Sequence, residues 1–194
     1  MKVSVIGTGY VGLVTGCCLA ESGQTVTCID NDKAKVNGLK SGKASIYEPG
    51  LDTLMEHNVA DGRLEFTDGL KSGVKDADVI FMALPTPPND DGSADLTILK
   101  AVATQIGEYL TSQYTVIVNK STVPVGTASM VEELVRATAK HEVDVVSNPE
   151  FLREGQACND FMKPERVVVG AKSKKAENVM RKLYAPFVSY DHPL

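Results

Sequence analysis

Lys2-Val-Ser-Val-Ile-Gly7-Thr-Gly9-Tyr-Val-Gly12 is the stretch on which the reading of this chain turns. An alternating apolar run, Val3 to Ile6, meets three glycines at G-x-G-x-x-G spacing, and a small-residue helical pattern, Val11 to Ser22, follows. Strand, tight turn and helix in that order are what a dinucleotide-binding fingerprint requires. Gly7 permits the sharp turn, Gly9 lets backbone approach a pyrophosphate, and Gly12 allows close packing of helix on strand. The helix start offers unpaired N–H groups and a positive dipole end to an anion. A second strand, Thr25 to Ile29, ends at Asp30, 18 residues beyond Gly12. An acid there suits a ribose 2′-hydroxyl and repels a 2′-phosphate, which favours NAD over NADP, while Lys33 and Lys35 pull weakly the other way.

Outward from that unit, strand patterns alternate with helical ones, which predicts an α/β fold: a Rossmann-type, doubly wound, largely parallel sheet with helices on both faces. Strands are expected at Arg63–Thr67, Asp78–Ala83, Tyr114–Val118, Val143–Val146 and Arg166–Val169, with a further one at Phe187–Tyr190. Helices are expected at Asp32–Lys40, Leu51–Val59, Thr127–Lys140, Phe151–Asp160 and Lys174–Tyr184. Another helix follows Asp95, which caps it, with Leu96, Leu99, Val102, Ala103, Ile106 and Leu110 on its apolar face. Ser41–Gly50 reads as irregular and Asn89–Ser93 as a polar turn.

A chain of 194 residues with 43% apolar content is expected to form one domain over residues 1–194. A net charge of −5 without a basic run argues against nucleic acid as the main partner. Cys17, Cys18, Cys28 and Cys158 form no C-x-x-C pair, and no histidine cluster has zinc spacing, so no metal is expected. Free thiols suggest a reducing, cytoplasmic compartment. No apolar run approaches the roughly 20 residues of a membrane helix.

Ligands of an open α/β sheet lie beyond the carboxyl ends of its strands. In chain order those ends carry Gly7 and Gly9, then Asp30, then Pro85 and Thr86, then Lys120, Ser121 and Thr122, then Asn148 and Glu150 with Arg153 and Glu154 beyond. Strand ends are commonly polar, and turns and caps account for some of the hydroxyls. They account poorly for three rigid turns, Pro-Thr-Pro, Ser-Thr-Val-Pro and Asn-Pro-Glu, each placing a polar group. On the expected helix Glu150 and Glu154, at i,i+4, share one face, and Arg153 suits a phosphate.

Gly7-Thr-Gly-Tyr-Val-Gly12, Pro85-Thr86-Pro87, Lys120-Ser-Thr-Val-Pro124, Asn148-Pro-Glu-Phe-Leu-Arg-Glu-Gly155 and Lys163-Pro-Glu-Arg-Val-Val-Val-Gly170 together resemble the UDP-glucose/GDP-mannose dehydrogenase family, in particular its bacterial UDP-glucose-oxidising branch. The resemblance implies oxidation of the C6 hydroxyl of a nucleotide sugar to a carboxylate, with two NAD per sugar. Tyr10, Val11 and Gly12 then lie at the pyrophosphate, Asp30 at the adenosine ribose with Lys35 beside it, and Thr86 and Thr122 against the NAD. Residues 148–155 contact the substrate, with Glu150, Phe151, Leu152, Arg153 and Glu154 holding UDP-glucose and Glu154 also reaching the cofactor. Thr122, Glu150 and Glu154 are the catalytic candidates for acid/base and water-positioning work, and Lys120 receives no role.

That four-electron reaction also needs a thiol nucleophile. Cys17, Cys18 and Cys28 read as packing residues, and only Cys158 stands near the substrate segment. The family's nucleophile, central helix and second domain are expected beyond residue 194. The chain then resembles an amino-terminal half that binds NAD without turning over UDP-glucose, within a full-length homodimer. GDP-mannose or UDP-N-acetylmannosamine are alternative substrates. A 6-phosphogluconate- or hydroxyacyl-type dehydrogenase and a non-catalytic NAD-binding module are alternative functions.

Overall fold

The computed structural model describes residues 1–188 and 194. In chain order the elements are β1 (Lys2–Ile6), α1 (Tyr10–Glu21), β2 (Thr25–Ile29), α2 (Lys33–Lys40), α3 (Leu51–Ala60), β3 (Leu64–Thr67), α4 (Leu70–Val74), β4 (Val79–Met82), α5 (Thr97–Tyr109), β5 (Tyr114–Asn119), α6 (Thr127–Arg136), β6 (Glu142–Ser147), α7 (Ala157–Met162) and α8 (Lys174–Tyr184). The six strands form one sheet in the order β3-β2-β1-β4-β5-β6, and every neighbouring pair is parallel. The chain winds outward from β1 to β3, then returns to the other side of β1 at β4. The reversal between β1 and β4 is the switch point at which such sheets open a crevice.

Side-chain alternation explains the two layers. In β4, Val79 and Phe81 face one apolar cluster and Ile80 and Met82 the other, and all four are buried. A central parallel strand covered on both faces reads as such a continuous apolar run. The first cluster takes in α1, α2, α3, α7 and α8, and the second α4, α5 and α6. Fully buried Phe81 and Ile80 contribute about 1.5–3 kcal/mol each. Ser4, the buried polar member of β1, is satisfied by donating to the Gly73 carbonyl at 2.6 Å.

Several expectations need correction. Residues 151–156 are not helical, and α7 begins only at Ala157. Glu48 takes the N–H groups of Gly155 and Ala157 that such a helix would use, Gly155 stands at φ +83°, and Glu150 accepts locally from Leu152 N–H. Glu150 and Glu154 therefore do not share a helix face. Arg166–Val169 is not a strand. It runs beyond the end of β6, tied by one antiparallel bridge between Gly170 and Ser147 and by Asn148 Nδ2 donating to the Val168 carbonyl. Helix α6 stops at Arg136 rather than Lys140, and the short α4 has no counterpart among the expected helices. The N-cap of α5 is Leu96, which makes no side-chain cap bond, rather than Asp95; Asp95, one residue earlier, accepts from Thr97 N–H at 2.8 Å. The Phe187–Tyr190 strand falls partly outside the described residues, and Phe187 and Val188 are not in a strand.

Candidate functional site

The carboxyl ends of β1, β2, β4 and β5 open on a cleft of about 760 Å³. Its walls bring together Gly7, Gly9, Tyr10, Val11, Asp30, Lys35, Thr86, Thr122 and Glu150. Gly7 has φ +96°, and a Cβ there would stand 2.2 Å from the Ala83 carbonyl oxygen. Gly12 is buried below the cleft, where a Cβ would stand 1.8 Å from the Gly7 carbonyl oxygen. Of its two expected roles, the coordinates show the packing one. A Cβ on Gly9 would meet no protein atom within 4 Å, so only a hydrogen atom separates that backbone from the open cleft. No side chain caps α1, which leaves its first N–H groups to an anion. An open, uncapped turn of this shape fits a pyrophosphate.

Asp30 is bound from several sides. Its Oδ2 accepts from Thr8 N–H at 2.9 Å, Thr8 Oγ1 at 2.7 Å and Lys35 Nζ at 3.0 Å, and its Oδ1 accepts from Asp32 N–H at 3.1 Å. Burial pulls its pKa up, but the hydrogen bonds from Thr8, Asp32 and Lys35 win and hold it at about 2. The carboxylate is thus fixed in charge and orientation at the end of β2. Lys35 is committed to Asp30, whereas Lys33 is exposed and 3.8 Å from the exposed Asp68, so only Lys33 still pulls weakly toward a 2′-phosphate. Thr86 and Thr122 are tied together, Thr86 Oγ1 donating to the Thr122 carbonyl at 3.2 Å.

A second cleft, of about 440 Å³, adjoins the first. Its walls include Asn148, Glu150, Phe151, Leu152 and Arg153 from the 148–155 segment, with Asp160 and Phe161 from α7. Lys120 and Glu150 line both clefts. Lys120 is only 4% exposed, and its Nζ donates to Asn148 Oδ1 at 3.2 Å and stands 5.7 Å from the centre of the Phe161 ring. Burial pushes its pKa down to about 8, against the opposing pull of the Glu150 charge. Asn148, 1% exposed, also accepts from the Tyr184 hydroxyl at 2.6 Å.

The remaining candidates are placed less uniformly. Arg153 lines the second cleft, but its Nε and Nη2 hold Asp160 at 3.0 and 2.6 Å, so a phosphate would compete with that pair. Phe151 is 54% exposed, with the Arg166 guanidinium 4.9 Å from its ring centre. Glu154 is exposed and lines neither cleft, although its charge helps raise the Tyr10 phenol pKa, after burial and Glu48. All four cysteines are free and buried, and none lines either cleft. Among the described residues there is no group of three or more His, Cys, Asp or Glu able to hold a metal, and no helix long and apolar enough to cross a membrane.

Three residues escaped the sequence reading. Thr8 orients Asp30 from within the glycine turn; its small hydroxyl between two fingerprint glycines is a usable signal. Tyr184 stands in the sequence only as the end of the expected helix Lys174–Tyr184, while its hydroxyl donates to Asn148 Oδ1. Glu48, from the irregular 41–50 stretch, reaches a segment more than a hundred residues away, and nothing local to it announces that reach.

Residues 1–188 match the model of the UDP-glucose/GDP-mannose dehydrogenase family, NAD binding domain. UDP-glucose 6-dehydrogenase TuaD of Bacillus subtilis is 52% identical over 188 residues, covering 96% of this chain and 41% of that protein. Among solved structures, a UDP-glucose dehydrogenase from Pyrobaculum islandicum superposes with a TM-score of 0.94 at 37% identity, covering all of this chain and 46% of that one. A GDP-mannose dehydrogenase from Pseudomonas aeruginosa gives 0.93 at 33% identity, covering all of this chain and 45% of that one. The chain spans less than half the length of these relatives.

Proposed function

The chain belongs to the UDP-glucose/GDP-mannose dehydrogenase family as its NAD-binding domain, and we propose that it serves the NAD-dependent oxidation of UDP-glucose to UDP-glucuronate. The observation that carries this reading is the meeting of two clefts at Lys120 and Glu150. One has the uncapped glycine turn and fixed acid suited to a dinucleotide, and the other is walled by the 148–155 segment. Gly9, Tyr10 and Val11 would hold the pyrophosphate, Asp30 the adenosine ribose with Lys35 beside it, and Thr86 and Thr122 the nicotinamide half. Gly7 and Gly12 shape the turn. Phe151, Leu152 and Arg153 would flank the sugar nucleotide.

NAD supplies the hydride acceptor when bound. The chain's part is to orient the C6 carbon and to manage the proton that leaves its hydroxyl. Glu150, at the junction, is placed to receive that proton directly or through a water. Thr122 would position the water, and Glu154, which lines neither cleft, receives no step here. The buried Lys120 ammonium would steady the negative charge that builds on oxygen as the proton departs. The second oxidation requires a thiol. None of the four cysteines reaches either cleft, so we assign it to the part of the relatives' length that this chain does not span. The full-length protein would act as a homodimer in the cytoplasm, where four free thiols persist.

The test is NADH formation by the natural full-length protein. UDP-glucose is expected to be the preferred substrate, giving two NADH per sugar, while the 194-residue chain binds NAD and forms none. Preference for GDP-mannose or UDP-N-acetylmannosamine would move the substrate assignment. UDP-glucose-dependent NADH formation by the chain alone would overturn the division of labour.

A further inference from the structure

Glu48 takes no part in the chemistry above, yet it is one of the most deeply buried charged side chains, at 3% exposure. It stands in the irregular stretch between α2 and α3. Both carboxylate oxygens are used: Oε2 accepts from Gly155 N–H at 3.0 Å and Oε1 from Ala157 N–H at 2.7 Å. A buried carboxylate accepting two N–H groups is a strong, directional tether, because an unmet charge there would be costly. The tether grips the point where the 148–155 segment ends and α7 begins. Its other neighbour is Tyr10, which lines the dinucleotide cleft and whose buried hydroxyl has no hydrogen-bond partner among the described residues. The Glu48 charge acts on that phenol more strongly than those of Glu154 or Glu150 do.

We infer that Glu48 is a positioning residue, which fixes the substrate-facing segment against the first turn of α1 and so sets the separation of the two clefts. The inference rests on the function proposed above for its catalytic consequence. Its structural half, the tether, is testable without any substrate. A segment that lacks helix or sheet pairing has few backbone bonds to define it, so two long-range hydrogen bonds to one carboxylate fix where its Gly155 end lies, while the Glu150 carboxylate accepts locally from Leu152 N–H. Loss of the tether should loosen the sugar cleft and leave the fingerprint turn in place. The fingerprint turn is made by β1, α1 and β4 and does not depend on Glu48.

The test is Glu48→Gln, which keeps the shape but turns one acceptor into a donor facing an N–H. In the 194-residue chain, Gly155 and Ala157 amides are expected to exchange about 100-fold faster while amides of β1 and β4 keep their rates. In the full-length protein, KM for the nucleotide sugar is expected to rise about tenfold with KM for NAD changed less than about twofold. A residue that only stabilises the fold would lower the active fraction and leave both KM values alone, and that result overturns the inference. Unchanged exchange at Gly155 and Ala157 overturns it as well. If Glu48→Gln does not fold, Glu48→Asp, which keeps both oxygens on a shorter stem, decides: the same pattern at smaller amplitude supports the inference, and equal change in both KM values contradicts it. If the unsubstituted protein oxidises no nucleotide sugar, the proposed function fails while the exchange result still judges the tether.

Discussion

The two clefts are built in opposite ways. The dinucleotide cleft is the mouth of a regular scaffold: parallel strands ending in register, one helix start and a glycine turn whose atoms leave no room for a Cβ at Gly12. The sugar-side cleft is walled by a segment with no regular structure between Asn148 and Gln156, pinned by side chains from distant parts of the chain. Glu48 holds its end, Asn148 binds Lys120, Tyr184 and the Val168 carbonyl, and Asp160 holds Arg153. Backbone geometry fixes the first wall, and a few buried polar groups fix the second. Substitutions should therefore separate the two.

The largest effect is expected for Gly12→Val. Its side chain must displace the Gly7 carbonyl, so NAD binding should fall more than about 100-fold, and the stability loss, read by urea denaturation, should exceed the ~1–3 kcal/mol typical of overpacking. If Gly12→Val binds NAD normally, the first wall is not set by backbone packing. Next comes Asn148→Ala, which strands the Lys120 ammonium and the Tyr184 hydroxyl in the interior. It should cost about 2–3 kcal/mol, with NAD affinity changed less than about threefold. A parallel loss of NAD affinity would mean that the two walls are one cooperative unit.

How much of this was legible in the sequence follows the same division. Lys2 to Gly12 and Asp30 could be read because strand alternation, glycine spacing and a strand-terminal acid are local signals. So could the six strands from β1 to β6 and most helices. The 150–156 stretch misled because Glu150, Phe151, Leu152, Arg153 and Glu154 have a helix-compatible pattern. What defeats the helix is Glu48, whose carboxylate takes two of its N–H groups from more than a hundred residues away. The strand expected at Arg166–Val169 failed for a related reason, its Val-rich pattern meeting β6 at a single bridge at Gly170. Lys120 was visible as a residue, but its place at the junction of both clefts appears only when β5 and the 148–155 segment are seen together.

Smaller effects sharpen the contrast. Asp30→Asn should weaken NAD binding about tenfold, the loss of one hydrogen bond to a charged group. Its folded pKa of about 2 lies below the ordinary value of ~3.9, so its contribution to stability is fully present above pH ~4 and is lost as pH falls through about 2. The variant should flatten acid denaturation in that window. Lys120 acts at the other end of the scale. Its folded pKa of about 8 lies below the ordinary ~10.4, so the unfolded chain binds more protons between those values and stability should rise from pH 8 to 10. Lys120→Met should abolish that rise. Smallest of all, Arg153→Ala removes the pair with Asp160, whose side chain is only 13% exposed, and should lower the urea denaturation midpoint only slightly while weakening nucleotide-sugar binding by the full-length protein.

The two clefts meet at Lys120 and Glu150, and a crystal structure of the chain with NAD tests the consequence of that meeting most directly. The pyrophosphate is expected on the backbone of Gly9 to Val11, the adenosine ribose at Asp30, and the nicotinamide ring within contact distance of Glu150. A dinucleotide bound with its nicotinamide away from Glu150, or outside this cleft, would contradict the account.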